Sequence, residues 1–489
     1  MSEILKDFKE KILSTTFDAG TISEVNGNIE IKTSYAEGKI NFYALDVLIV
    51  EMSVTNLADD ENKFYLHFEL RDLNYASELF EEMLSTIIDL KNKQSLKILL
   101  SCTGGLTTGF FADKLNETAK MLSLNYEFSA VPFHKLYNVG FDYSVILLAP
   151  QIAYQIKTAQ EILHDKLVLK IPPKIFASYD AGEMLEFIRA ELDNRTKTVE
   201  ERAILKVRAG LIKSDAKILS IAVMPFANQT RIAYRIYQKG AVLLNETVIK
   251  GRIKISHDLQ DIMDTASRLG VPFDTAGIAI PGIIQKGHFV FNFYGEVTLD
   301  LKGLLEEKYK IPVTISNNAN AAALGYYAQQ DKFENIVFFT RPRNFTASGL
   351  GIVINGKMIS GAHNIAGEMQ YISREFFTDE DQELWEKNKT VDWKKVPDTI
   401  AREIRAAISV TDPELICVRS EMTPDLEKIK TALKKFIPAE YLPEFIYIPD
   451  AEMAEYILLG QMILSLEELE NKMFNLPAQK LQNVFYLDK

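Results

Sequence analysis

Three segments decide how the C-terminal half of this chain is read: GIAIPGII (277–284), LEEKYKIPVTISNNANAAALGYY (305–327) and GLGIVINGKMISGAHNIAGEMQY (349–371). Each joins a short apolar run, the signature of a buried strand, to a turn carrying Gly, Pro or Asn. Strand-like and helix-like segments alternate from about Ala216 to the C-terminus. That alternation predicts an α/β domain over 216–489, built as two lobes or one large sheet.

The same alternation occurs upstream. LKILLSC is a strand, Thr107 to Leu122 a helix and LNYEFSAV a second strand; YSVILLAP, a helix from Ala153 to Leu163 and KLVLKI follow. This predicts a parallel α/β sheet domain over 94–193. Over 194–215, TKTVEERAILKVRAGLI has a capping-box start at Thr198 with Glu201 and a stop at Gly210, and is expected to be a connector helix. Its Arg195, Lys197, Arg202, Lys206 and Arg208 read as a solvated face, with an acidic partner as the alternative.

Residues 1–93 hold strand-like runs at 29–33, 40–43 and 64–70, then a helix-like stretch from Asn74 to Leu90, and are expected to form a small α+β domain. Nine basic against eighteen acidic residues make this segment the most acidic part of a chain whose formal charge is −12. That sign disfavours contact with phosphate backbones, and no helix-turn-helix pattern is present, so no direct nucleic-acid partner is expected. At ~150 residues per domain, 489 residues allow about three domains. With 47% hydrophobic and 25% charged residues, disordered and fibrous classes are excluded. The opening MSEILKDFKEKIL has no signal-peptide pattern and no run reaches a membrane span, so a cytoplasmic protein without membrane contact is expected. Two cysteines, Cys102 and Cys417, exclude a disulfide framework and a clustered cysteine zinc site.

Cys102 ends the LKILLS strand and is followed by Thr103-Gly104-Gly105-Leu106-Thr107-Thr108, immediately before a helix. Such a turn directs backbone N–H groups and a helix N-terminus at one point, an anion site that also lowers a thiol pKa. The competing reading is a small apolar residue closing a buried strand. A phosphatase C-x5-R loop is excluded because the sixth position after the cysteine is Thr108, which cannot clamp phosphate as Arg does.

ILLSCTGGLTTGFFADKL and VILLAPQIAY together resemble the enzyme IIB domain of the lactose and cellobiose class of the bacterial sugar phosphotransferase system, over roughly 95–193. The resemblance implies that Cys102 accepts a phosphoryl group from a IIA-like donor protein. It also implies that Thr103, Gly104, Gly105, Leu106, Thr107 and Thr108 cradle the phosphate, with the loop at Ala149-Pro150-Gln151 beside it.

The three C-terminal segments resemble the ROK family, the sugar kinases and sugar-responsive repressors of the actin-like ATPase superfold, over about 216–470. This implies a two-lobed domain binding a sugar or sugar phosphate against Gly282, Asn317, Asn318 and Glu368, in a homo-oligomer. Turn and cap roles are the simpler alternative for these residues. Departures from the family pattern are specific. The general base expected in N-D-A-N is replaced by Asn318, which cannot take a proton. The phosphate nest D-x-G-G-T is replaced by Ile218–Phe226, which lacks the Asp and the glycine pair. Arg419, Ser420 and Glu421 stand where a Gly-rich turn admits adenosine, and are expected to obstruct it. Tyr371 replaces a His, and cysteine-free sequence through Trp385 and Trp393 replaces the zinc loop. Neither ATP nor zinc is therefore expected as a cofactor. The expectation is a carbohydrate-responsive regulatory protein that lacks sugar-kinase chemistry; the alternatives are an active sugar kinase, a working phosphocarrier of sugar uptake and, last, a DNA-binding repressor.

Overall fold

The computed structural model describes residues 3–44, 47–57, 61–92, 96–122, 124, 126–163, 166–200, 215–226, 229–239, 241–251, 253–268, 272–285, 288–291, 297–341, 348–372, 396–420 and 426–474. The chain opens with α1 (Glu3–Ser14), five strands β1 (Thr21–Val25), β2 (Asn28–Lys32), β3 (Ala36–Ala44), β4 (Leu48–Asn56) and β5 (Glu61–Glu69), then α2 (Leu73–Asn92). Along β4 the apolar Val50, Met52 and Val54 are buried while Glu51, Ser53 and Thr55 are only partly so, the period-2 pattern of a sheet with one face on a core.

Next come β6 (Leu96–Cys102), α3 (Leu106–Met121), β7 (Tyr126–Pro132), α4 (Phe133–Val139), β8 (Val145–Leu148), α5 (Ile156–Ile162), β9 (Leu167–Lys170), α6 (Pro173–Ser178) and α7 (Ala181–Glu200). The four strands form a parallel sheet in the order β7-β6-β8-β9, with apolar layers on both faces. Helix α7 runs unbroken through Asp193 and Thr198. The boundary expected at Asp193 and the helix start expected at Thr198 are therefore corrected: no Gly or Pro after Gly182 interrupts this helix, and intrinsic propensity carries it past the capping-box pattern. The rest of the expected connector, residues 201–214, lies outside the described residues.

The remainder comprises β10 (Lys217–Pro225), β11 (Thr230–Gln238), β12 (Ala241–Lys250), α8 (Ile255–Arg268), β13 (Thr275–Ile280), β14 (Ile283–Gln285), β15 (His288–Phe291), β16 (Val297–Leu299), α9 (Leu301–Tyr309), β17 (Val313–Asn317) and α10 (Asn318–Gln329). After them come β18 (Ile336–Thr340), β19 (Gly349–Ile354), β20 (Lys357–Met358), α11 (Val396–Thr411), β21 (Leu415–Arg419), α12 (Leu426–Leu433), β22 (Glu444–Tyr447) and α13 (Asp450–Phe474). Two sheets define two lobes. The second is five-stranded, in the order β20-β19-β18-β21-β22.

The first lobe departs from the expected domain plan. Its sheet has ten strands, in the order β1-β2-β3-β4-β5-β12-β11-β10-β13-β17, so the segment 1–93 is not a domain of its own. Strand β5 meets β12 at Tyr65 and Ile249, and one core runs from Phe8, Ile31, Met52 and Phe64 to Leu219, Ile221, Ile232 and Ile278. Polar contacts reinforce the seam: the buried Lys250 ammonium lies 2.7 Å from Asp258 and 3.1 Å from Glu82 of α2, and Tyr234 hydroxyl lies 2.9 Å from His67 Nε2. The physical reason is that a sheet with an unpaired edge and a half-covered apolar face gains by continuing into its neighbour.

Helices α10 and α13 fill the space between the lobes, sharing a core with Ile218 and Ala279 of the first sheet and Phe338 and Cys417 of the second. Two glycines permit the close crossing. A Cβ on Gly325 would fall 1.8 Å from the Tyr456 carbonyl oxygen, and one on Gly460 1.8 Å from that of Ala321. Among the described residues no helix is long and apolar enough to cross a membrane.

Candidate functional site

Two sites are assembled. The first is the cysteine loop, at the C-terminal edge of the four-stranded parallel sheet. Strand β6 carries Cys102 to that edge, and β8 pairs beside it through Ser101 and Leu148, which brings the Ala149–Gln151 loop alongside. Gly105 turns the chain with φ +84°, a conformation an L side chain rarely adopts; an added Cβ would also meet the Pro132 nitrogen at 3.1 Å.

That turn aims three donors at the sulfur. The Gly105 N–H donates to Cys102 Sγ at 3.0 Å, the Thr108 hydroxyl lies 3.2 Å away and the Thr107 hydroxyl 3.5 Å away. Burial pushes the Cys102 thiol up, but the hydroxyls of Thr107 and Thr108 and the N–H groups of Thr108 and Gly105 outweigh it and bring the pKa down to about 7. At that value about half of the sulfur is thiolate at neutral pH, the nucleophilic form. Of the expected cradle, Gly105, Thr107 and Thr108 reach the sulfur; Thr103, Gly104 and Leu106 lie exposed around it. The direct hydroxyl contacts to sulfur were not foreseen from sequence, although two consecutive threonines after a Gly-Gly turn are their signal. Cys417 differs: it is fully buried in β21, and burial holds its thiol well above the ordinary value.

The second site lies between the lobes and gathers Gly282, Asn317, Asn318 and Glu368 from three separate segments. Strand β17 ends at Asn317, which caps α10 by accepting from the Ala319 N–H at 2.7 Å. Its Nδ2 donates to the Gly282 carbonyl at 3.0 Å and to Glu368 Oε1 at 3.2 Å. Because Asn317 ends a strand of the first sheet and Glu368 bridges to Gly349 of the second, this hydrogen bond crosses from lobe to lobe. Glu368 Oε2 accepts from Gln370 Nε2 at 3.2 Å, a contact not foreseen from sequence. Burial pushes the Glu368 carboxyl up to about 7, partly offset by that hydrogen bond.

Asn318 Nδ2 donates to the Val223 carbonyl of β10 at 2.8 Å, while its Oδ1 is shielded from solvent without a hydrogen-bond partner; Asn320 Oδ1 is likewise unpartnered. Strand β10 ends at Pro225 and the Phe226 N–H donates to the Gln229 carbonyl at 2.7 Å; no glycine stands between Lys217 and Phe226.

At the C-terminal ends of β18 and β21, the expected obstruction by Arg419 and Ser420 is corrected. Both are buried, with Arg419 Nε donating to Asp450 Oδ1 at 2.6 Å and Ser420 hydroxyl donating to the Arg341 carbonyl at 2.8 Å. Charged groups at this buried edge are satisfied by pairing inward. Glu421 lies outside the described residues. Arg341 and Glu403, which no sequence pattern flagged, are fully buried and hydrogen-bonded to each other. Tyr371 is exposed, and the segment expected to replace the zinc loop, 373–395, lies outside the described residues. Among the described residues no group of three or more His, Cys, Asp or Glu is placed to hold a metal ion.

Residues 229–383 match the family model described as ROK family. The xylose repressor of Bacillus subtilis is 34% identical over 104 residues, 20% of this chain and 26% of that protein, so the chain spans about a quarter of the length of this relative. The lactose-specific EIICB component of the phosphotransferase system of Staphylococcus epidermidis is 27% identical over 128 residues, 26% of this chain and 22% of that protein. Among solved structures, the ROK hexokinase from Thermus thermophilus aligns with a TM-score of 0.39 at 18% identity, covering 52% of this chain and 99% of that one. The C-terminal region of this chain contains a ROK family domain.

Proposed function

We propose that this protein is a carbohydrate-responsive regulator that joins a phosphorylatable IIB-like cysteine domain to a ROK domain without sugar-kinase chemistry. The observation that carries the reading is the state of position 318. An amide stands there, one of its two N–H groups donating to the Val223 carbonyl, while its chain neighbour Asn317 binds Gly282 and Glu368. An amide cannot accept the proton of an attacking hydroxyl, so binding survives where general-base catalysis does not. The residues present also do not fit a nucleotide: β10 supplies no N–H nest for a triphosphate. A coupled assay with ATP and a panel of sugars tests this; turnover that Asn318→Ala abolishes would overturn it.

The phosphoryl-acceptor role of Cys102 is favoured by the thiol surrounded by Gly105 N–H, Thr107 and Thr108. The same donors that stabilise a thiolate stabilise the oxyanions of a phosphocysteine. The donor in this reading is a IIA-like phosphohistidine protein, and the regulator works as a homo-oligomer without direct DNA contact. Intact-mass analysis after incubation with phosphoenolpyruvate, the general phosphotransferase proteins and a IIA protein decides it: a phosphate-sized gain is expected in wild type and not in Cys102→Ser. No gain with any IIA protein would remove the relay from the proposal.

A further inference from the structure

Away from both sites, a cavity of about 800 Å³ lies on the seam where α2 packs against the first lobe. One wall is α2, from Tyr75 to Asp89; the other comes from the segments that follow β10 and β12, at Phe226 and Gly251, and from the first turn of α8, at Asp258. Neither wall encloses the space alone, so the cavity exists because the N-terminal segment extends the lobe. Its charge is one-sided: five carboxylates line it against two ammonium groups. Both ammonium groups are committed. Lys250, with a side chain 3% exposed, lies 2.7 Å from Asp258 and 3.1 Å from Glu82, and Lys254 lies 2.6 Å from Glu78. Glu81 and Asp89 are exposed and enter no ion pair among the described residues. A phosphate ester, a nucleotide or a sugar acid would add negative charge to this field, whereas an organic cation supplies the two missing partners.

The spacing of those partners sets the shape of the cation. Glu81 and Asp89 stand eight residues apart on α2, about 12 Å along the helix axis. Leu79 and Phe226 give the same cavity apolar surface, on which methylene segments pack while charged ends stay in water. We propose that this cavity binds a linear polyamine, its terminal ammonium groups on Glu81 and Asp89 and its methylene segments over Leu79 and Phe226. Touching both walls, the ligand holds α2 on the first lobe and stabilises the folded chain. The site is independent of Cys102 and of the cleft between the lobes.

Isothermal titration of the full chain with spermidine at low ionic strength tests the proposal, with magnesium chloride as the control cation. Wild type is expected to bind spermidine at least tenfold more tightly than magnesium. Glu81→Gln combined with Asp89→Asn should weaken spermidine at least tenfold; both residues are exposed, so the variant keeps its fold. Gly251→Phe separates an enclosed cavity from a charged surface. A Cβ at Gly251 meets no atom within 4 Å, so the ring enters open space, changes no charge and should weaken spermidine at least fivefold. If Gly251→Phe does not fold, the comparison with magnesium makes the same distinction. No binding of spermidine by wild type overturns the proposal, as does an affinity unchanged in the Glu81→Gln, Asp89→Asn protein. Binding that magnesium matches, or that a folded Gly251→Phe protein leaves unchanged, overturns it as well and leaves α2 with a solvated acidic face only.

Discussion

Tyr65 of β5 and Ile249 of β12 are antiparallel partners, and through this one pair the N-terminal strands join the first lobe in a single sheet. Phe64, next to Tyr65, is fully buried in the core that continues to Leu219 and Ile221 of β10. Phe64→Ala should therefore cost about 3–5 kcal/mol. Hydrogen exchange should report the loss in β10 and β13 as well as in β3 to β5. Loosening confined to residues 3–92 would mean that the two parts unfold independently.

The Cys102 thiol at about pH 7 sets an alkylation profile. Iodoacetamide labelling of the folded protein should reach half its plateau rate near pH 7 at Cys102, while Cys417, buried and held as a thiol, stays unlabelled. Thr108→Val removes one hydroxyl from the sulfur and should move the midpoint upward by about half a pH unit, roughly twofold less thiolate at pH 7. Peptide mapping of the labelled protein separates the two cysteines, and a midpoint near the free-thiol value in wild type would contradict the loop geometry.

Glu368 gives a stability profile of known sign. Burial raises its folded-state pKa from 4.5 to about 7, so between these values the folded protein holds a proton that the unfolded chain has lost. The contribution is fully present below pH 4.5 and is lost as pH rises through 7. Wild type should therefore lose melting temperature over this window relative to Glu368→Gln, which has no carboxyl to ionise. Parallel melting curves for the two proteins from pH 4 to pH 8 would show that Glu368 is not buried as described.

Arg341 and Glu403 are a fully buried ion pair, which makes single and double substitutions behave differently. Glu403→Ala leaves a guanidinium buried without its carboxylate and should cost about 3–5 kcal/mol, whereas Arg341→Met with Glu403→Leu should be close to neutral. Urea midpoints of the three proteins measure this. A double variant as unstable as Glu403→Ala would show that the pair is needed for the fold of the second lobe, not merely for its own neutralisation.

The elements with strong local patterns were legible from sequence. Strand β6, helix α3 and the turn at Cys102 followed from an apolar run meeting a Gly-Gly-x-Thr-Thr loop, and α2 from its 3.6-residue spacing. The cap at Asn317 was legible in the same way, since Asn favours that position. Less legible was the inward pairing of Arg419 with Asp450, which are 31 positions apart: charge in a motif marks a residue, but its direction is set by which partner packs within reach.

The sequence by itself determined the α/β alternation, the position of the thiol at a strand end and the run of amides at Asn317, Asn318 and Asn320, because each is written in residues close together along the chain. Only the tertiary structure decided that residues 3–92 extend the first lobe, that Asn317 and Glu368 meet across the lobes, and that Asn318 faces Val223 from 95 positions away. Those outcomes depend on strand edges and buried polar groups finding partners, and burial selects such partners by proximity in space and not by order in the chain.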